Sequence, residues 1–184
     1  MTAQTIAPAR RAVRLRPLAL SDAPRVRRWM ADAGLIRFTV VVPSPEHGPL
    51  APYTTAEADQ YLDTLVNDRS RRSFAIELHG THVGNIGIKE WQPGAASAEC
   101  FIEIGEADAR GNGVGTSALR QLLVIAFTEL GLDEVRLGVF AFNAQAIALY
   151  RKLGFVDRGR YGWHWADGRY HEINAMSLER WRFR

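Results

Sequence analysis

The alternation of apolar and polar residues changes its period along this chain. Residues 12–18 alternate between apolar and charged residues, which predicts a strand with one face exposed to water. Residues 20–34 and 54–68 repeat their apolar positions at helical spacing and predict two helices. We expect Ser21 to cap the first helix and Gly34 to end it. The second helix opens on a threonine followed three residues later by a glutamate, the pattern of a capping box.

The second half of the chain mixes both periods. It predicts a hairpin turning at Gly80 and Thr81, a strand, a helix, a short strand, a helix and a closing hairpin. These elements occupy residues 73–91, 98–106, 116–132, 134–140, 143–155 and 159–179. The order β-α-α-β-β-β-α-β-α-β-β predicts an α+β domain with a mixed, mostly antiparallel sheet and helices on both faces.

Composition narrows the class of protein. The 184 residues fit a flexible tail, residues 1–11, followed by a single domain, residues 12–184. The one cysteine, Cys100, allows no intramolecular disulfide, and neither a leader peptide nor a membrane span is visible, so we expect a cytoplasmic protein. The net charge is +3, and the arginine-rich opening is interpreted as a solvated surface instead of a nucleic-acid site.

Three glycines stand on alternate positions directly before the helix that starts at residue 116. Gly111, Gly113 and Gly115 are flanked by Arg110 and Thr116. Glycines let a ligand approach the backbone closely, and amides at a helix N-terminus bind anions. The spacing does not match the P-loop, which needs a lysine after its last glycine. It does not match the Rossmann fingerprint either, which needs a glycine where Thr116 stands. A diphosphate such as that of coenzyme A is the favoured ligand, and a turn without a ligand is the alternative.

Two segments resemble the GNAT superfamily of acetyl-CoA-dependent N-acetyltransferases. Residues 110–115 match its [Q/R]-x-x-G-x-[G/A] signature, and residues 143–155 resemble its N-x-x-A-x-x-x-Y-x-K-x-G-F segment. Residues 13–30 and 74–88 further resemble the Rim-type branch, which acetylates ribosomal-protein N-termini and includes relatives acting on small amines. The resemblance covers residues 12–180 and implies the fold of that superfamily.

In that fold the fourth and fifth strands splay apart and hold acetyl-CoA as the co-substrate. Here they would lie near residues 98–105 and 134–140, where Gly138 marks either a bend or tight packing. The resemblance implies no metal. It implies a set of cofactor-binding residues around the glycines, the fourth strand and the last helix: Ile102, Ile104, Arg110, Gly111, Asn112, Gly113, Val114, Gly115, Thr116 and Asn143.

Tyr150 and Glu103 are the candidate catalytic residues. The resemblance implies that Tyr150 serves the leaving thiolate, whereas a core aromatic is the alternative. Glu103 is a candidate base acting through water, and a solvated strand charge is the equally weighted alternative. Alternation places Cys100 on the strand face opposite Glu99 and Glu103, so we expect it to pack in the core.

The resemblance implies that an acetyl group moves from acetyl-CoA to a primary amine, which attacks the thioester directly. The acceptor is either a protein N-terminus or a small-molecule amine, and a non-catalytic acyl-CoA-binding module is the alternative function. We expect specificity to lie in residues 38–53, in the helix that follows them and in the aromatic closing hairpin. No nucleic acid or membrane partner is expected, a homodimer is left open, and His79 and His82 lack the companions of a metal site.

Overall fold

The computed structural model describes residues 13–38, 51–164 and 170–183. The predicted tail and most of the predicted specificity loop lie outside these ranges. The elements are β1 Val13–Pro17, α1 Ala23–Met30, α2 Ala33–Ile36, α3 Thr55–Asn67, β2 Arg72–Leu78, β3 Thr81–Lys89, β4 Ser97–Ile104, α4 Val114–Val124, β5 Glu134–Phe140, α5 Ala144–Lys152, β6 Val156–His164 and β7 Tyr170–Glu179. This is the predicted order with one short helix, α2, added.

The seven strands form one sheet in the order β1-β2-β3-β4-β5-β7-β6. Only β4 and β5 are parallel, so the prediction of a mixed, mostly antiparallel sheet is confirmed. Their pairing involves residues 97–99 and 134–136 alone. Within the described ranges both strands continue unpaired with each other, to Ile104 and Phe140, so β4 and β5 splay apart.

Helices cover both faces of the sheet, because alternate residues of each strand point to opposite sides. Helices α4 and α5 pack against one face, and α1, α2 and α3 pack against the other. Cys100 lies in the first core and Phe101 borders the second. The prediction that Cys100 packs in the core is therefore confirmed, and burial raises the pKa of its thiol to about 12.

The helix ends follow local hydrogen bonds. The predicted capping box begins α3, where the Glu57 amide donates to Thr54 Oγ1 and the Thr54 amide donates to the Glu57 carboxylate. The prediction that the first helix runs to Gly34 is wrong. Helix α1 ends at Met30, and Asp32 begins α2 by accepting a hydrogen bond of 2.8 Å from the Gly34 amide.

Two further local predictions are wrong by one residue. The N-cap of α1 is Asp22 instead of Ser21, and its carboxylate makes no capping hydrogen bond. The β2–β3 turn is formed by His79 and Gly80 instead of Gly80 and Thr81, with φ angles of 51° and 79°. Both turn residues are left-handed, as tight hairpins require, and the sequence signal was weak because histidine rarely takes that conformation.

Gly138 marks tight packing instead of a bend. The pairing of β5 with β7 continues through Gly138 without a register shift. A Cβ atom at this position would lie 2.8 Å from the Tyr161 hydroxyl oxygen and 3.2 Å from Ile173. Only glycine therefore leaves room for the Tyr161 side chain against β5.

The arginines of the opening segment that the structure describes are largely paired with carboxylates. Arg25 and Arg28 bind Glu106, and Arg27 binds Asp59. Carboxylates of the same protein therefore neutralise the charges of these three arginines. No helix in the described ranges is long and apolar enough to cross a membrane.

Candidate active site

The splay of β4 and β5 opens a cleft of about 1090 Å³. Its walls are the two strands, the glycine loop (residues 110–116), the start of α5 and one side of α3. The cleft brings together both candidate catalytic residues and most predicted cofactor-binding residues. These are Ile102, Glu103, Ile104, Arg110, Gly111, Gly113, Gly115, Thr116, Asn143 and Tyr150. Asn112 and Val114 belong to the same loop but do not line the cleft.

The glycine loop presents unused backbone donors to the cleft. Gly111 and Gly113 have φ angles of 71° and 79°, and Gly113 is the N-cap of α4. Ser117 is the first residue whose amide bonds back into the helix, to Gly113 O at 3.0 Å. In the described part of the chain, no acceptor faces the amides of residues 111–116. A helix N-terminus with free amides fits a phosphate group.

Arg110 braces the loop against the end of β4. Its Nε donates to Ile104 O at 2.8 Å, and its Nη2 donates to Gly105 O at 2.9 Å. The guanidinium is therefore held by carbonyl oxygens of the protein itself. Its role as a direct phosphate ligand stays a prediction, and what the structure supports is a role in holding the loop.

Asn112 and Val114 also support the loop through their side chains. Asn112 Nδ2 donates to Asp108 O at 2.8 Å, and the residue is exposed. Val114 is buried in the core beneath α4. Any contact that these two residues make with a cofactor would come from their backbone amides.

Asn143 and Tyr150 lie on the cleft side of α5. Asn143 caps the helix, since its Oδ1 accepts a hydrogen bond of 3.2 Å from the Ala146 amide. Tyr150 is 8% exposed and packs on Phe155, with ring centroids 5.7 Å apart. Burial raises the pKa of the Tyr150 hydroxyl above its ordinary value, so this group is a hydrogen-bond donor at neutral pH.

Glu103 is buried at the centre of the cleft wall. It is 5% exposed, so it is not a solvated strand charge. Its Oε1 accepts a hydrogen bond of 2.6 Å from Asn85 Nδ2, and its Oε2 accepts one of 3.1 Å from the Tyr61 hydroxyl. Burial raises the pKa of Glu103 to about 7, against the opposing effect of both hydrogen bonds. A carboxylate with this pKa can accept a proton near neutral pH.

Glu99 and Arg71, which also line the cleft, are each paired with an opposite charge. Glu99 Oε1 lies 2.8 Å from Lys89 Nζ, and Arg71 Nε donates to Asp68 Oδ2 at 3.2 Å. Glu103 is thus the carboxylate of the described cleft lining that has no cationic partner. This difference favours Glu103 over Glu99 as the proton acceptor.

Sequence reasoning missed Asn85 and Tyr61, which hold the Glu103 carboxylate. Tyr61 follows the apolar spacing of α3, so its position in the sequence indicates packing against the core instead of a polar contact. Asn85 is a single amide in the otherwise apolar and glycine-rich residues 83–88. A polar side chain in a buried strand requires a partner, and that was the available signal.

The described residues include only part of the predicted specificity loop and of the aromatic hairpin. The aromatic rings of Phe38 and Phe142 line the cleft with their centroids 5.9 Å apart, although Phe38 is the only residue of the predicted loop to do so within the described ranges. The side chains of Trp163 and Trp165 are not among those that the structure describes. Among the described residues, no group of three or more His, Cys, Asp and Glu is placed to hold a metal ion.

The loop conformation yields a binding prediction. We expect Gly113→Ala to weaken coenzyme A binding about 10-fold, because a Cβ in the left-handed region costs about 1–2 kcal/mol and shifts the amides. Isothermal titration calorimetry measures the change. Gly131→Ala is the matched control: Gly131 lies just past the other end of the same helical segment, has a φ of 72°, and has no atom near its Cβ position. An equal loss of affinity in both variants would mean that helix stability alone is responsible.

The sequence is similar to those of known acetyltransferases. Residues 12–156 match the acetyltransferase (GNAT) domain family. The chain is 30% identical to spermidine N(1)-acetyltransferase of Escherichia coli K12 over 152 residues, which are 83% of this chain and 77% of that protein. It is 27% identical to the spermidine N(1)-acetyltransferase of Vibrio cholerae over 124 residues, 66% of this chain and 71% of that protein.

A solved structure has the same fold. Spermidine N-acetyltransferase from Vibrio cholerae, in complex with CoA and spermine, superposes with a TM-score of 0.78. The superposition covers 92% of this chain and 96% of that chain at 22% sequence identity. At this level of identity the likeness concerns the fold.

Proposed function

Because the chain belongs to the GNAT acetyltransferase family, we propose that it moves the acetyl group of acetyl-CoA to the primary amine of a small polyamine-like molecule. The family membership supports acetyl-CoA as donor, and the relatives named as spermidine N-acetyltransferases support the acceptor class. The resemblance to the Rim-type branch also implied a protein N-terminus as acceptor. The relatives named above do not support that finer assignment.

One observation carries the proposal: a buried carboxylate and a buried phenol line the same cleft between two splayed strands. Glu103 comes from β4 and Tyr150 comes from α5. The cleft also meets the free amides of the glycine loop. These positions support a proton acceptor, a hydrogen-bond donor and an anion site along one ligand path.

These residues divide the binding of the donor between them. The amides of residues 111–116 would hold the diphosphate. The unpaired edges of β4 and β5 offer backbone donors and acceptors that a pantetheine arm can pair with as an added strand does. Asn143 lies at the start of α5, beside this path. The amide donors at Ile102 and Ile104 for the reacting carbonyl oxygen stay a prediction.

The chemistry assigns each catalytic candidate one task. Acetyl-CoA supplies an acetyl thioester, whose C–S bond breaks as the amine nitrogen forms the new C–N bond. Glu103 receives the proton that the amine loses, directly or through a water. Tyr150 donates a hydrogen bond to the departing sulfur. Because an ordinary phenol, pKa about 10, is a weaker acid than a thiol, pKa about 8.5, this bond stabilises a thiolate more readily than it transfers a proton.

The acceptor end of the cleft contains groups that attract a cation. Phe142 lines the cleft and is 55% exposed, with one face stacked on Phe140, and aromatic faces attract ammonium groups; the Arg37 guanidinium already lies over the ring of Phe38. Glu103 adds negative charge deeper in the cleft. These features support an acceptor with an aliphatic chain and protonated nitrogens.

Thiol release from acetyl-CoA tests the proposed function. We expect kcat/KM to be highest with spermidine or spermine and lower with amino acids and N-terminal peptides. An analogue of spermidine with only tertiary amines is the control and should release no thiol above background. A peptide that outperforms the polyamines would overturn the acceptor class. Coenzyme A binding without thiol release from any primary amine would overturn the transfer reaction.

A further inference from the structure

A chain of buried polar side chains leads from Glu103 away from the cleft. Asn85 Nδ2 donates to Glu103 Oε1 at 2.6 Å, and Asn85 Oδ1 lies 2.9 Å from His82 Nε2. On the far side of the ring, His82 Nδ1 lies 3.3 Å from Asp22 Oδ1. Arg16 ends the chain with hydrogen bonds of 2.7 and 2.8 Å to the two oxygens of the Asp22 carboxylate. Hydrogen bonds therefore connect β4 to β3, and Asp22 and Arg16 lie next to the His82 ring without a hydrogen bond to Nδ1.

The middle of this chain is shielded from water. Asn85 is fully buried, His82 is 4% exposed and Glu103 is 5% exposed. Burying a polar group costs free energy unless the group forms its hydrogen bonds. The hydrogen bonds from Asn85 to Glu103 and between Asn85 and His82 must therefore be made in the folded protein, and they constrain the orientation of the Asn85 amide, whereas His82 Nδ1 makes no hydrogen bond among the described residues.

The acceptors around His82 Nε2 fix the direction of the hydrogen bonds on both sides of Asn85. His82 Nε2 faces two oxygens, Gly84 O at 3.0 Å and Asn85 Oδ1 at 2.9 Å, so this nitrogen carries a proton. Asn85 must then present its oxygen to His82 and its amino group to Glu103. A flipped amide would place Oδ1 against the Glu103 carboxylate and Nδ2 against the His82 N–H. His82 thus determines which end of Asn85 meets Glu103.

We propose that Asn85 and His82 are positioning residues, which keep the Glu103 carboxylate ionised and in a single orientation for the acetyl transfer. The proposal rests on the proposed role of Glu103 as proton acceptor. Asn85 occupies one carboxylate oxygen and Tyr61 occupies the other, so rotation of the carboxylate breaks both hydrogen bonds. The remaining lone pairs can accept a hydrogen bond from a water or an amine.

The titratable groups around Glu103 do not themselves change charge near neutral pH. Burial raises the pKa of Tyr61 well above its ordinary value, and burial also raises the pKa of Tyr53, with the Glu103 charge adding to both effects. The positive charge of Arg71 acts in the opposite direction on the pKa of Tyr61 and is the last of the causes in size. A titration near pH 7 in this part of the cleft therefore belongs to Glu103.

The groups around His82 are also fixed in charge. Burial acts to raise the pKa of Asp22, but the hydrogen bonds from Arg16 and the Ala19 amide outweigh it and lower that pKa below its ordinary value. The Asp22 carboxylate accordingly stays charged and holds Arg16. Burial lowers the pKa of His82, which keeps the ring neutral at neutral pH. The edge of the His82 ring also packs against Trp29, with centroids 4.8 Å apart.

The test measures the pKa of Glu103 directly, in the full chain, by NMR titration of isotope-labelled glutamate carboxyls. The signal is assigned by its loss in Glu103→Gln. Asn85→Leu removes one hydrogen bond to the charged form and should raise the pKa of Glu103 by about one pH unit. The pH profile of kcat/KM should move the same way, with about a 5-fold loss at pH 7 that shrinks by pH 9.

Two variants of His82 separate positioning from packing. His82→Phe keeps a ring against Trp29 but cannot orient the Asn85 amide, so the pKa of Glu103 should rise by less than in Asn85→Leu. His82→Gln restores an N–H donor toward Asn85 and should return the pKa toward the native value. Asn174→Leu is the matched control, because Asn174 is also a buried asparagine but lies in β7, away from the hydrogen bonds that join Glu103, Asn85 and His82. It should leave the titration and the pH profile unchanged.

The outcomes distinguish this proposal from the proposed function. An unchanged pKa of Glu103 in Asn85→Leu, with a loss of activity equal at all pH values, would overturn the positioning role. If Asn85→Leu does not fold, an equal pKa in His82→Phe and His82→Gln would overturn it. A shifted pKa in a protein that releases no thiol with any amine would leave the positioning role standing and remove the proposed function.

Discussion

Replacing Glu103 with glutamine is expected to lower kcat/KM for acetyl transfer by about 10²–10⁴-fold, the usual contribution of a positioned general base. Glutamine keeps the shape of the side chain and both partners, since its oxygen can accept from Asn85 and the Tyr61 hydroxyl can accept from its amino group. What is lost is the ability to take a proton. Coenzyme A binding, measured by calorimetry, should remain within error of the native value.

The pH dependence identifies this loss as that of a base. Burial raises the pKa of Glu103 to about 7, so native activity should rise with pH through about 7 as the carboxylate loses its proton. In Glu103→Gln this rise should disappear. Glu99→Gln is the control on the same face of β4, where Lys89 already pairs with the carboxylate. A large loss in Glu99→Gln with little loss in Glu103→Gln would transfer the role to Glu99.

The same substitution also has a stability signature. The pKa of Glu103 lies above its ordinary value of 4.5, so the folded protein holds this proton more tightly than the unfolded chain. That stabilisation is fully present below pH 4.5 and is lost as the pH rises through about 7. At pH 8, Glu103→Gln should therefore unfold at the same temperature as the native protein or a higher one. If the variant is inactive but unfolds at this temperature, the loss of activity is due to the missing proton acceptor and not to a loss of folded structure.

Tyr150→Phe is expected to slow turnover by roughly 10- to 1000-fold without abolishing it. Phenylalanine retains the ring that packs on Phe155 and removes only the hydroxyl. The hydroxyl is a donor because burial raises its pKa, and a donor stabilises the negative charge that develops on the leaving sulfur. The effect should fall on kcat, measured by thiol release, with coenzyme A affinity unchanged.

A second tyrosine provides the control for Tyr150. Tyr53 is half-buried and does not line the cleft, so Tyr53→Phe should leave kcat nearly unchanged. If Tyr150→Phe also retained native turnover, the departing thiolate would need no hydrogen bond from this residue. Tyr150 would then be a core aromatic, as its burial beside Phe155 also allows.

Much of the fold follows from periodicity because strands and helices repeat their apolar positions differently. The order of elements, the capping box of α3, the core position of Cys100 and the cap at Asn143 are all local consequences of sequence. The errors are local too. Helix α1 ends before Gly34 because the Asp32 carboxylate binds the Gly34 amide and starts a new helix there, which competes with continuation of the first.

The sequence by itself indicated the GNAT superfamily, the glycine loop, and Glu103 and Tyr150 as candidate catalytic residues, since these depend on short segments with fixed spacing. Only the tertiary structure decided that Glu103 is buried, and that Asn85 and Tyr61 hold it. The physical reason is that a pKa depends on desolvation and on partners from distant elements. Tyr61 and Asn85 are 42 and 18 residues from Glu103 in the chain, and only the packing of α3 and β3 against β4 brings the three together.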